Sequence, residues 1–482
     1  MMRKVTIKNQ NNEKTILVPE GSNLLSVLRE HAYVVNATCG GSGRCKKCVV
    51  NVNGDPKLSC QTIITEDIVV EFADDRRASK QILMDSSATH YRIAIDIGTT
   101  TLAGYLIDLD NGKVVATNSL YNPQISYGAD VISRIKHCSL GSLPALHRVI
   151  IKVINEMVTD LLPNQRPEHL ILSGNTVMLH ILMNEDPTSM GRSPYIAPFL
   201  SSKEFSGDLL KINAKKVILL PSISSFIGAD IVAGCLYIGL LQEKKNVLFI
   251  DLGTNGEMVL KANDTYYGTS TAAGPAFEGA NIEKGLGGVK GAISAVSYEK
   301  TLMIETISGT PEGICGSGLI DIIALLRREQ MLDETGLLVT NQESQLVHRL
   351  IDDKFYVTDT VYITQKDIRE FQLAKSAIVS GIMVLLDQAQ IELSSLAQVY
   401  IAGGFGFHMN KKSAIAVGLL PVQLEDKIRI VGNSSGLGSV QVANDLSLVG
   451  ECETIAREVI CIDLNKETKF NQYFIDNIYF AL

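Results

Sequence analysis

The sequence predicts an α/β protein in two parts: a small, mainly β domain bearing a cysteine cluster, then a larger domain built from two similar halves. Three observations carry that prediction. Four cysteines, Cys39, Cys45, Cys48 and Cys60, lie at C-x5-C-x2-C-x11-C spacing within ATCGGSGRCKKCVVNVNGDPKLSC. A strand-Asp-Gly-Thr pattern occurs at Asp96-Ile97-Gly98-Thr99 and again, 155 residues later, at Asp251-Leu252-Gly253-Thr254. A third glycine motif, Ala402-Gly403-Gly404-Phe405-Gly406, follows the apolar run Val399-Tyr400-Ile401. Four thiolates so spaced, three on one glycine-rich loop, suit an iron–sulfur cluster. The repeat suggests two halves with a cleft between them.

Bulk properties narrow the class. At 482 residues the chain accommodates two or three domains with sizeable cores. A net charge of −8, with no basic tract to offset it, argues against a nucleic-acid binder. The opening MMRKVTIKNQNNEK lacks the apolar stretch of a signal peptide. No run of 18 apolar residues suggests a membrane span, so a cytoplasmic location is the expectation. Four of the nine cysteines cluster at metal-ligand spacing, which points to metal rather than disulfides. The other five (Cys138, Cys235, Cys315, Cys452, Cys461) read as small buried hydrophobes.

The first domain is assigned to residues 1–75. KVTIKN and KTILVPEG flank the turn NQNNE and read as a β-hairpin. Ser22 stands where a helix N-cap belongs, before NLLSVLREH. After the cysteine loop, VVNVNGDPKLSC reads as a strand and turn that bring Cys60 back. This order resembles the β-grasp fold of plant- and adrenodoxin-type ferredoxins, and the x5 spacing follows the adrenodoxin branch. The resemblance implies a 2Fe–2S cluster on Cys39, Cys45, Cys48 and Cys60. Gly40, Gly41 and Gly43 let backbone N–H groups approach its sulfurs. Arg44, Lys46 and Lys47 add positive charge alongside. A structural zinc site is the alternative, but zinc normally uses two C-x2-C knuckles and only one is present.

Residues 76–90, inside the polar run ADDRRASKQILMDSSATH, are assigned as a linker, so the cluster domain is expected to hang on a short tether. The larger domain divides into a first half at 91–240 and a second at 241–482. In each half a buried strand ends in Asp and turns through a small-residue hairpin into a second strand. An Asp so placed points into the cleft and can hold a hydrated Mg2+. The hairpin offers N–H groups and threonine hydroxyls to phosphate oxygens, and Gly98 and Gly253 allow that approach.

The two hairpins and the GGFG turn resemble the phosphate-1, phosphate-2 and adenosine elements of the acetate and sugar kinase, Hsp70 and actin superfamily. Residues 226–234 resemble its first connecting helix. The fold class is therefore α/β: duplicated actin-like, ribonuclease H-like ATPase lobes behind an N-terminal β-grasp ferredoxin domain. Within that superfamily, NPQISYGADVISRI (122–135), SGNTVMLHILMN (173–184), GTSTAAGPAFEGANI (268–282) and CGSGLID (315–321) resemble the ferredoxin-fused reductive activators of corrinoid proteins.

The resemblance implies ATP-dependent reduction of a corrinoid protein from cobalt(II) to cobalt(I), fed by an upstream low-potential electron donor, in a homodimer. The potential required lies below the roughly −400 mV of a plant-type cluster, hence the coupling to ATP. Asp96 and Asp251 would hold Mg2+. Gly98, Thr99, Thr100, Thr101, Gly253, Thr254, Asn255 and Gly256 would line the phosphates of ATP. Gly403, Gly404, Phe405 and Gly406 would shape the nucleoside pocket. Asp230 and Glu257 are candidate bases for the attacking water, with a surface or capping role as the alternative. Ser270 and Thr271 are expected on a loop facing the corrinoid partner or, more simply, as turn residues. His180 and His408 read as packed histidines with an electrostatic role as the alternative. Two other functions compete: an ATP-driven electron donor to another low-potential metalloenzyme, and a small-molecule kinase with a regulatory cluster.

Overall fold

The computed structural model describes residues 1–482 except 10–11, 32, 73–76, 84–87, 404–408 and 481–482. Two compact units emerge: residues 1–219 with 442–446, and residues 220–441 with 447–482.

The first unit begins with strands β1 (Met2–Asn9) and β2 (Asn12–Pro19), helix α1 (Leu24–Glu30), and strands β3 (Val49–Val52), β4 (Asp55–Leu58) and β5 (Ile68–Glu71). The sheet order is β2-β1-β5-β3-β4, with β1 and β5 parallel. This is the β-grasp arrangement. Alternation on β1 buries Val5 and Ile7, and α1 buries Leu24, Leu25, Val27 and Leu28 in the same core. The helix starts one residue later than expected. Asn23, not Ser22, is the N-cap and accepts from the Ser26 N–H at 3.2 Å; the Ser22 hydroxyl donates to Pro19 O at 2.6 Å.

A seven-stranded sheet follows. Its elements are β6 (Arg77–Ile82), β7 (Tyr91–Ile97), β8 (Thr101–Asp108), β9 (Lys113–Tyr121), α2 (Val131–His137), α3 (Leu143–Leu161), β10 (His169–Gly174), α4 (Thr176–Leu182), β11 (Lys203–Ser206) and β12 (Lys216–Leu219). The order is β11-β12-β10-β7-β8-β9-β6. Residues 77–82, assigned to the linker, form an edge strand that pairs antiparallel with β9. An unpaired ladder on β9 accounts for this: backbone hydrogen bonding captures a segment whose composition carries no strand signal. Nor does the first domain hang free on a tether. The Ala129 N–H donates to Thr38 O at 3.1 Å, and the Val35 N–H donates to the Ser126 hydroxyl at 3.0 Å.

The second unit contains α5 (Ala229–Tyr237), β13 (Val247–Leu252), β14 (Gly256–Ala262), β15 (Thr265–Thr271), β16 (Ala292–Tyr298), β17 (Leu302–Thr306), β18 (Gly313–Ile314) and α6 (Gly316–Arg328). It continues with β19 (Leu350–Ile351), β20 (Lys354–Tyr356), β21 (Tyr362–Thr364), α7 (Gln365–Ala389), β22 (Gln398–Ala402), α8 (Lys411–Ala416), β23 (Ile428–Gly432), α9 (Ser434–Asn444), α10 (Val449–Glu458), β24 (Val459–Cys461) and α11 (Phe470–Asp476). Its main sheet runs β23-β22-β13-β14-β15-β24. The antiparallel meander β13-β14-β15 with β22 and β23 parallel beside β13 repeats β7-β8-β9 with β10 and β12. Each unit thus carries the ribonuclease H-like sheet.

Helix α7 starts in a capping box, Thr364 and Asp367 bonding each other's backbone N–H groups, and ends at Gln390 in the left-handed region. It lies close on the sheet because Gly256 and Gly381 have no side chains. A Cβ on Gly256 would sit 2.0 Å from Ile378 Cδ1, and one on Gly381 2.6 Å from Thr271 Cγ2. By its contacts, helix α5 belongs to the second compact unit, which begins at residue 220. Small residues explain this: a Cβ on Gly234 would be 2.6 Å from the Phe249 ring, and one on Gly438 1.9 Å from Ala233 O. α5 therefore packs against β13 and α9 with nothing between.

Candidate cluster and nucleotide sites

The cysteine loop joins α1 to β3. Gly40, Gly41 and Gly43 take φ of +66°, +98° and +79°, conformations that favour glycine. The four thiols are free and fall into two pairs. Cys39 and Cys45 Sγ lie 3.3 Å apart, and Cys60 hydrogen-bonds with Cys48. Burial pushes the Cys39 thiol up, but bonds from Ser42 and from the Cys45 and Gly41 N–H groups outweigh it and hold it at about 6. Burial, the bond to Cys48 and the charges of Cys48 and Cys39 push Cys60 up to about 11. Among the described residues no three His, Cys, Asp or Glu side chains converge on one ion. Two thiol pairs with backbone donors between them fit a two-iron cluster, one pair per iron, better than a single zinc needing all four.

In the first unit, Asp96 ends β7, half-buried, and the turn Gly98-Thr99-Thr100 leads into β8 at Thr101. Three successive carbonyls of this turn are held by Asn122 and Arg134. Asn122 Nδ2 donates to Gly98 O at 2.8 Å, Arg134 Nη2 donates to Thr99 O, and the Asn122 N–H donates to Thr100 O at 2.8 Å. These bonds fix the backbone of a glycine-threonine turn, a type of turn whose N–H groups can serve phosphate oxygens. Arg134 is fully buried and also donates to Gly128 O and Gln124 Oε1, each at 3.1 Å.

In the second unit, Asp251 ends β13 and pairs directly across the hairpin with Glu257, which pairs in turn with Ser270 on β15. Opposed residues share a face, so the two carboxylates stand side by side. Asp230, in the first turn of α5, joins them. Burial, then the charges of Asp230 and Asp251, push the Glu257 carboxyl well above the usual carboxylate range. Asn255 Nδ2 donates to Glu257 Oε1 at 3.1 Å, and the buried Thr254 hydroxyl donates to Glu278 Oε2 at 2.6 Å. Among the described residues no three of these carboxylates converge on one ion, so a divalent cation here would be held through its water shell, its charge favouring their ionised forms. Gly403, φ +111°, abuts this site: its Cβ would lie 2.3 Å from Leu252 O and 3.2 Å from Asp251 Oδ1. Gly404, Phe405, Gly406 and His408 lie outside the described residues.

The structure thus brings together Asp230, Asp251, Thr254, Asn255, Glu257 and Gly403 in one unit, and Asp96 with Gly98–Thr101 in the other. Ser270 and Thr271 lie in a strand rather than a loop. Thr271 is buried and donates to Gly256 O at 3.2 Å, so its hydroxyl serves the hairpin. His180 is packed: the Thr176 carbonyl fixes its Nδ1 as the donor at 2.7 Å, and its Nε2 accepts the Phe199 N–H at 3.2 Å. Asn122, Arg134 and Glu278 escaped prediction, although all three stand in stretches that carried the family resemblance.

Comparisons with known proteins agree with this layout. A family profile for the C-terminal domain of RACo, the ASKHA domain, matches residues 245–481. Profiles for the RACo middle region and for a 2Fe-2S iron-sulfur cluster binding domain match residues 91–243 and 7–67. The corrinoid activation enzyme RamQ of Eubacterium limosum is 29% identical, across 97% of this chain and 98% of its own. The Co(II) methylated amine-specific corrinoid protein reductase of Methanosarcina barkeri is 25% identical, across 80% of this chain and 76% of its own. A solved reductive activator for corrinoid, iron-sulfur protein superposes with a TM-score of 0.75 at 27% identity, covering 99% of this chain and 98% of that one.

Proposed function

The chain belongs to the RACo family, and from that premise we propose that it is an ATP-dependent reductive activator, returning a corrinoid protein from cobalt(II) to cobalt(I). The observation that carries this reading is the presence, within one compact unit, of paired cysteines on a β-grasp loop and a phosphate-binding hairpin. Bound to Cys39, Cys45, Cys48 and Cys60, a 2Fe–2S cluster would supply the single electron that cobalt(II) gains.

The chain's own residues serve ATP hydrolysis. The hairpin N–H groups of Thr99–Thr101 and of Thr254–Gly256 bind phosphate oxygens. Asp251 in the second unit and Asp96 in the first are each the residue that would hold hydrated Mg2+, which when bound would supply positive charge to the phosphates. With the cation present, Glu257 loses its proton and can take one from the attacking water, Asn255 keeping its carboxylate oriented. Asp230 adds negative charge beside it. Gly403 leaves room for the nucleoside next to Asp251. Hydrolysis can drive the electron uphill only if the nucleotide states differ in affinity for the cobalt(II) partner.

Among the described residues no helix is long and apolar enough to cross a membrane. A cytoplasmic homodimer receiving electrons from a separate low-potential donor completes the reading.

The test is anaerobic. Prereduced, cluster-loaded protein is mixed with a cobalt(II) corrinoid protein, and the cobalt(I) absorption is followed with and without Mg-ATP. Cobalt(I) should appear only with ATP, and Asp251→Ala or Cys45→Ala should abolish it. ATP hydrolysis that leaves several corrinoid partners as cobalt(II) would refute the proposal and favour another low-potential acceptor.

A further inference from the structure

Residues 122–137 touch both sites of the first unit. They comprise a short turn of helix at Pro123–Tyr127 and then α2. On one side Asn122 and Arg134 hold the carbonyls of Gly98, Thr99 and Thr100, as described above. On the other side the same segment grips the cysteine loop. The Ser126 hydroxyl accepts the Val35 N–H at 3.0 Å and donates to Val35 O at 2.9 Å. The Ala129 N–H bonds Thr38 O, and His137 Nε2 lies 3.1 Å from Gly40 O. The residues on both sides of Cys39 are therefore held by this segment.

Arg29, at the end of α1, closes the contact. Its Nε donates to Ser126 O at 2.7 Å and its Nη2 to Gly40 O at 3.0 Å, while its guanidinium lies 4.9 Å from the Tyr127 ring centre. Gly40 has no space to spare: a Cβ there would stand 3.3 Å from Tyr127 O and 3.4 Å from His137 Nε2.

We propose that residues 122–137 couple the Gly98–Thr101 hairpin to the cysteine loop, with Arg29 as the positioning residue at the loop end, so that nucleotide binding changes the reduction potential of the cluster. The inference rests on the two sites read above. Packed, hydrogen-bonded elements shift as units, so a hairpin that moves onto phosphate pulls Asn122 and Arg134 with it. Ser126, Ala129 and His137 carry that shift to the peptides around Cys39, whose N–H groups and nearby cationic charge set how readily the cluster accepts an electron.

The experiment is a redox titration of the full-length, iron- and sulfide-loaded protein, with and without Mg2+ and a non-hydrolysable ATP analogue. Iron content and analogue affinity are measured in parallel. The unaltered chain should show an analogue-dependent change of about tenfold in the one-electron reduction constant, about 59 mV. Ser126→Ala removes no charge and should cut that change by more than half while iron content and analogue affinity hold. Arg29→Met should do the same and also lower the potential without nucleotide. Arg29→Lys should restore the nucleotide-free potential but not the full response.

An unaltered chain that binds both cluster and analogue yet shows no shift would overturn the coupling. So would a full shift in both Ser126→Ala and Arg29→Lys. Failure of the unaltered chain to bind iron or analogue would instead sink the site assignments, and the coupling with them.

Discussion

The two Asp-Gly-Thr hairpins share a scaffold and differ in electrostatics. At the ladder position facing Asp96 the first copy has Ala103; facing Asp251 the second has Glu257. The first hairpin is backed by a buried cation, Arg134, and the second is surrounded by Asp230, Glu257 and Glu278. A cation behind the turn favours anion binding. A crowd of carboxylates favours a divalent cation and a water to be activated. In the proposed reading, the second copy carries the chemistry, and the first, through residues 122–137, the link to the cysteine loop.

The largest expected effect is at the position where the copies differ most. Glu257→Gln should slow ATP hydrolysis roughly a hundred- to ten-thousand-fold in a steady-state assay, with nucleotide affinity nearly unchanged. A loss of less than tenfold would transfer the role to Asp230. Next, Arg134→Met leaves the carbonyls of Thr99 and Gly128 buried without a donor, and should cost roughly 2–5 kcal/mol. The urea midpoint should fall at constant m. An unchanged midpoint would remove the cation from the account of the first hairpin.

Glu278→Gln replaces a charged acceptor by a neutral one beneath Thr254. It should weaken ATP binding by about tenfold, since charge-assisted hydrogen bonds contribute roughly 1.5–3 kcal/mol. Equilibrium titration with a fluorescent ATP analogue measures it, and unaltered affinity would confine Glu278 to a structural role.

The smallest effect is a pH slope. Glu257 is an acid with a raised folded-state value, so between the usual carboxylate range and that value the folded chain holds a proton the unfolded chain has released. Without divalent cation, stability should therefore fall as pH rises through that window. Mg2+ with nucleotide should flatten the slope, and so should Glu257→Gln. Denaturation midpoints across pH provide the check; a slope that survives Glu257→Gln would mean another group titrates there.

The repeat itself runs deeper than two hairpins. Gly174 ends β10 where Gly403 follows β22, and each abuts the carbonyl of the residue after the motif Asp: Ile97 O at 2.8 Å and Leu252 O at 2.3 Å from an added Cβ. Ser173-Gly174-Asn175 and Ala402-Gly403-Gly404 share one glycine, too little for sequence comparison to align. Asp-x-Gly-Thr was legible because three residues within a four-residue stretch meet the same local demand in both halves. Asn122, Arg134 and Glu278 were not, because each reaches a backbone or hydroxyl group of a hairpin 24 to 35 residues away in sequence. Ser22 and Asn23 are both good caps, and the choice between them was settled by Asn23 Nδ2 reaching Cys60 O at 2.9 Å.

By itself, the sequence determined what depends on local spacing: the cysteine loop with its positive-φ glycines, the hairpin between β1 and β2, the strand-Asp-turn units, and thereby the fold class. These follow from side-chain periodicity and the φ each residue tolerates, which act within a few residues. Only the tertiary structure decided what depends on distant partners. It paired residues 77–82 with β9, seated the cysteine loop on residues 122–137, gathered Asp230 beside Asp251 and Glu257, and packed α5 against β13 and α9. The strand pairing and the seating of the loop come from satisfying backbone donors and acceptors, the placement of α5 from the absence of a Cβ at its crossings, and the gathering of like-charged carboxylates from strand register across β13 and β14. Such demands are met by whichever group the folded chain brings near, a placement that no spacing along the chain records.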